Sequence, residues 1–151
     1  MATQRDEVIQ YKKIVERNVQ KWKQETEKAL EKDLDPIAEE IEELNKIKNP
    51  GPDEKKKAVD LQKAAREVIE KRMEASSGRL QQELRKVKRP EVDKSDNQSS
   101  RLMDKFHDDF GEGVEIEIPD AISKKYKALD SVTATVKPDD RAFSVGFKWS
   151  I

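Results

Sequence analysis

Apolar and weakly polar positions recur at Val8, Tyr11, Val15, Val19, Trp22, Thr26 and Ala29. The steps of three and four residues form a seam close to the heptad spacing and predict a helix over residues 3–32. Thr3, with Asp6 three residues on, reads as its capping start, Asp standing where Glu or Gln is usual. Asp33-Leu34-Asp35-Pro36 predicts its end, because proline lacks a helical N–H and suits the first turn of a new helix. Ile37, Ile41, Leu44 and Ile47 or Lys48 then line a short second helix whose other face is acidic (Glu39, Glu40, Glu42, Glu43). Asn49-Pro50-Gly51-Pro52 breaks the chain, and Pro52, Asp53 and Glu54 open a third helix.

The third seam runs through Val59 or Ala58, Leu61, Ala65, Val68, Ile69 and Met73, then Leu80, Leu84 and Val87. Ser76-Ser77-Gly78 interrupts it, and an interior glycine costs about 1 kcal/mol relative to alanine, so a kink or a boundary is expected there. Arg89-Pro90 stops this helix, and Glu91 to Ser100 reads as a polar linker. Ser99 or Ser100 then caps a helix over 101–110 that buries Leu102, Met103, Phe106 and Phe110, and Gly111-Glu112-Gly113 ends it. Val114 to Ile118 alternates as a strand, closed by Pro119. Asp120 caps a short helix through Ile122, Tyr126 and Leu129. A second strand spans Ser131 to Lys137, Pro138-Asp139-Asp140-Arg141 turns the chain, and Ala142 to Ile151 closes it, Phe143, Val145, Phe147, Trp149 and Ile151 on one face.

These elements predict an α+β fold: a long antiparallel, coiled-coil-like helical hairpin over 1–90, a polar linker over 91–100, and a small α+β unit over 101–151 ending in a β-hairpin. Two or three strands need a helix on their apolar face to be stable in water. Six of the eight aromatic residues lie at or after Phe106, so the aromatic core belongs at that end.

Composition narrows the function. Charged residues make up 42% of the 151, and the net charge is -1, so nothing global recruits nucleic acid or an anionic membrane. Cysteine is absent, which removes disulfides, thiolate metal sites and cysteine nucleophiles. No stretch approaches the roughly 18 apolar residues of a membrane span, and Met1 to Asp6 lacks the apolar core of a secretory signal. A cytoplasmic location is expected, and non-classical export of the folded chain is compatible with it.

Candidate chemistry is sparse. His107 is the only histidine and stands in Asp104-Lys105-Phe106-His107-Asp108-Asp109. A His107–Asp108 pair has the groups of a base with its orienter or of a metal site, yet adjacent residues point to different sides of a helix. Asp120 after an acidic strand resembles the opening of a metal-nuclease pattern, whose acid-any-Lys strand is represented only by Thr135-Val136-Lys137. No metal, cofactor or small-molecule ligand is expected. Arg79, Arg85, Lys86, Lys88 and Arg89 form the densest basic run, suited to phosphate contact or, more simply, to a helix C-terminus. Trp22 and Tyr11 on the first seam, and Phe147 and Trp149 on the last strand, are partner-contact candidates whose plainer role is packing.

Binding is therefore expected ahead of catalysis, with a protein partner or a second copy engaged through helical and β-edge surfaces. Two rival expectations come from other classes. One is a small secreted bacterial effector or toxin, with a helical delivery region and a C-terminal active unit. The other is a phosphate-backbone binder acting through residues 79–89, whose affinity would collapse at about 0.5 M salt while apolar contacts would survive.

Overall fold

A computed structural model describes residues 4–90, 97–110, 113–138 and 143–149. Helix α1 runs from Gln4–Asn45 and α2 from Pro52–Arg85, joined by a short loop. Then follow α3 (Asn97–Phe110), β1 (Val114–Glu117), a single turn α4 (Asp120–Ser123), a 3-10 turn (Lys127–Leu129), β2 (Ser131–Pro138) and β3 (Phe143–Trp149). The expected helical hairpin and the small antiparallel sheet are both present. Thr3, most of the linker (91–96), Gly111-Glu112, the turn residues 139–142, the Phe110 side chain and Ile151 lie outside what is described.

The break expected at Asp33–Pro36 does not occur, and the separate second helix is the last third of α1. The seam explains why. Leu30, Leu34, Ile37 and Ile41 are buried at steps of four, three and four residues, so the stripe crosses Pro36 without interruption. Burying an aliphatic side chain contributes about 1.5–3 kcal/mol. Ile37 and Ile41 together thus outweigh the roughly 3 kcal/mol that an interior proline costs. Pro36 itself is exposed, where the carbonyl freed by its missing N–H can bond water. Asp33, taken as a terminator, instead accepts both arms of Arg72 from α2, at 2.6 and 3.1 Å.

Helix α2 opens as expected, with proline at its start and the Glu54 carboxylate accepting the Gly51 N–H at 3.0 Å. It passes through Gly78 unbroken. Ser76 and Ser77 face inward and Gly78 outward, so the small residues let α1 approach while the glycine meets only solvent. Trp22 fills that approach, its indole N–H donating to the Ser76 carbonyl at 2.8 Å. The helix ends at Arg85, four residues before the expected stop, with Lys86 and Val87 N–H groups bonding back to Glu83 and Leu84.

Helix α3 begins at Asn97, so the last four residues of the expected linker are helical and Ser99 and Ser100 lie inside it. The expected helix after Asp120 is two separate turns, which still bury Ile122, Tyr126 and Leu129. The sheet order is β1-β2-β3, both pairs antiparallel. Ile116 stands opposite Val132, Ala134 opposite Phe147, and Val136 opposite Val145, all on the covered face. Glu115, Thr133 and Lys148 form a row on the other face. Gly113 enters β1 at φ +86°, and a Cβ there would sit 2.8 Å from the Ala134 carbonyl oxygen, so only glycine fits. The sheet lies on the hairpin with β3 along α2 and β1 beside α1, and both regions share one apolar core.

Candidate functional site

Of the three weak catalytic candidates, Asp120 lies far from His107 and Asp108. His107 is beside Phe106, whose ring contacts Tyr11 near the start of α1. Asp120 lines a shallow cavity with Asn45, Lys124 and Lys125 at the far end of α1. Tyr11 and Asn45 are separated by 34 helical residues, about 50 Å. Asp108 is exposed on α3. Among the described residues no group of three His, Asp or Glu side chains is placed to hold a metal ion.

The His107 ring is half-buried. It lies 5.8 Å from the Phe106 ring and meets Phe143 edge-on at 6.0 Å. Burial is the main influence that lowers its pKa, followed by the positive charge of Arg89, while Asp104 and Asp108 oppose the shift.

The partner-contact candidates divide. Trp22 and Tyr11 are almost fully buried in the chain's own core and offer no surface. Phe147 and Trp149 are half-buried where β3 meets α2. The Trp149 indole N–H donates to Glu70 at 3.1 Å, and Arg66 lies 5.5 Å from the ring while donating to the same carboxylate. Arg66 and then Trp149 hold the Glu70 carboxyl below its ordinary pKa.

One N–H on each edge of the sheet is held by a helix side chain. On β1 the Glu117 N–H donates to the Glu27 carboxylate at 2.9 Å, and on β3 the Val145 N–H donates to the Gln81 amide oxygen at 3.3 Å. Both acceptors come from the hairpin, so strand addition at Glu117 or Val145 must first displace a helix side chain.

The basic run is dispersed by pairing and position. Arg79 donates to Glu25 at 3.2 Å across the hairpin. Arg85 and Lys86 are exposed at the end of α2. Lys88 and Arg89 form one wall of a groove of about 710 Å³, whose other wall is Asp6, Glu7, Gln10 and Ile14 on α1.

A second concavity on the first turns of α1 has a different character. Arg5 from α1, and Gln98, Arg101, Leu102 and Lys105 from α3, line a cavity of about 290 Å³. No carboxylate lines it, and no ion pair of the described residues involves Arg5, Arg101 or Lys105. Sequence reasoning missed this cluster. Arg101 and Lys105 share a helix face by their spacing of four, but Arg5 joins them only because α3 packs on α1.

No protein-family model, curated protein or solved structure matches the chain.

Proposed function

We propose that the chain is a protein-binding module that takes an acidic segment of a partner into the cavity formed by Arg5, Arg101 and Lys105. The observation that carries this reading is three cations from two helices around one concavity with no carboxylate in its lining. Guanidinium groups bind carboxylates through paired N–H donors, and Arg5 on α1 and Arg101 on α3 supply two of them. Leu102 gives the site an apolar surface and Gln98 a neutral hydrogen-bonding group. Catalysis is less well supported, because His107 and Asp120 sit at opposite ends of the hairpin. The phosphate-backbone reading of residues 79–89 loses Arg79 to Glu25.

Fluorescence anisotropy with an acidic peptide and a neutral peptide of equal length tests the proposal. The acidic peptide should bind saturably, and Arg101→Glu or Lys105→Glu should weaken it by at least about tenfold. Arg85→Glu and Lys86→Glu should leave it unchanged. Equal binding of the neutral peptide would sink the reading. Tighter binding of a DNA duplex, lost on Arg85→Glu, would transfer the function to the rival surface. Sedimentation of the chain alone shows whether a second copy is itself the partner.

A further inference from the structure

His107 is the chain's only histidine, hence its only side chain whose ordinary protonation range lies between about pH 5 and 8. Its position gives that titration a mechanical consequence. Helix α3 is seated by an aromatic cluster in which Tyr11 of α1 meets the Phe106 ring edge-on at 5.7 Å and lies nearly parallel to Phe143 at 6.4 Å. Phe106 and Phe143 meet each other at 6.0 Å. The His107 imidazole closes the cluster on its α3 side, and its Nε2 is buried without a hydrogen-bond partner.

A neutral imidazole tolerates this site, since its Nε2 can remain an unused acceptor. An imidazolium has a donor at both nitrogens, so protonation places an N–H at Nε2 with nothing to accept it. The charges that act on the ring are Arg89 just past α2, which repels the added charge, and Asp104 and Asp108 on α3 itself, which attract it. Tyr11 from α1 and Phe143 from β3 are uncharged in this pH range, Val136 of β2 is buried and apolar, and Lys137 is exposed. Among the described residues, none accepts a hydrogen bond from Nε2.

We infer that protonation of His107 unlatches α3 from the aromatic cluster, so that mild acid opens the chain at the junction of α1, α3 and β3. The sign follows from the environment of the ring. Burial and Arg89 set the folded-state pKa below the ordinary value of 6.5. The docked state is therefore fully stable above that value, loses stability as the pH falls from it through the folded-state pKa, and loses no more below. Each unit between the two values weakens docking about tenfold. Because α3 also carries Arg101 and Lys105, its release separates them from Arg5, but the inference concerns the free chain and stands without any ligand.

Hydrogen exchange of the free chain at about pH 7.5 and about pH 5.5, corrected for the intrinsic rate, tests it. Protection over residues 101–108 should fall several-fold on acidification, while residues 61–84 of α2 keep theirs. His107→Leu and His107→Gln should remove the pH dependence. A NMR titration of the wild-type imidazole supplies a readout that needs no variant, and should give a pKa below 6.5. A measured value at or above 6.5, or the same acid loss of protection in His107→Leu, overturns the inference.

Discussion

The hairpin and the sheet are held by different means. Between α1 and α2 an apolar seam is supplemented by directed contacts: Trp22 to the Ser76 carbonyl, Arg72 to Asp33, and Arg79 to Glu25. The sheet has one apolar face and no second layer of its own. Its covered residues, Ile116, Val132, Ala134, Val136 and Phe143, belong to the core that the helices complete. Even its edge N–H groups at Glu117 and Val145 are satisfied by helix side chains. The hairpin thus defines its own register, while the sheet takes both its cover and its edge protection from the hairpin.

Removing the hairpin's largest anchor gives the strongest test of this asymmetry. Trp22→Ala should lower stability by about 3–5 kcal/mol. It also leaves Trp149 as the only tryptophan, a fluorescent reporter on the sheet. In urea, Trp149 fluorescence and far-UV circular dichroism should change together; a sheet signal that outlasts the helical one would break the comparison. Pro36→Ala acts on the hairpin alone and in the opposite direction. Stability should rise by about 2 kcal/mol, less than the full cost of an interior proline because proline also stiffens the unfolded chain. Trp149→Ala removes the contact with Arg66 and Glu70 and should cost about 1 kcal/mol at a half-buried site, with helix content unchanged. Gly78→Ala should raise stability by about 0.5–1 kcal/mol, since a methyl there meets nothing within 4 Å. All of these are read from urea midpoints.

The seams were legible because their periodicity is long and regular. Val8 to Trp22 and Leu61 to Met73 mark the buried stripe residue by residue, and the alternation from Val132 to Val136 marks the inner face of β2. Local punctuation was misleading wherever tertiary burial overruled it. Pro36 reads as a boundary, yet Ile37 and Ile41 keep the stripe going; Gly78 reads as a kink, yet it sits on the outer side, where a missing side chain costs little. Ser99 and Ser100 have the chemistry of a cap, but α3 starts before them.

What the sequence hid is relative placement. Tyr11 and Trp22 look like partner contacts because a two-helix seam with aromatics has surplus apolar surface, and nothing local says that Phe106 and Phe143 meet Tyr11 while Trp22 packs against Ser76 of α2. The Arg5, Arg101 and Lys105 cluster was invisible for the same reason, since only the packing of α3 against α1 joins residues so far apart. Asp120, which stood out locally, is set apart from His107 and Asp108 by the length of α1.

The two edge N–H groups held by Glu27 and Gln81 bear on how this molecule fails. These two points of protection against stacking with other copies are lent by neighbouring segments, so they last only while those segments stay seated. Heating should therefore leave the chain clear in solution until the long helices melt, and turbidity should begin at that point.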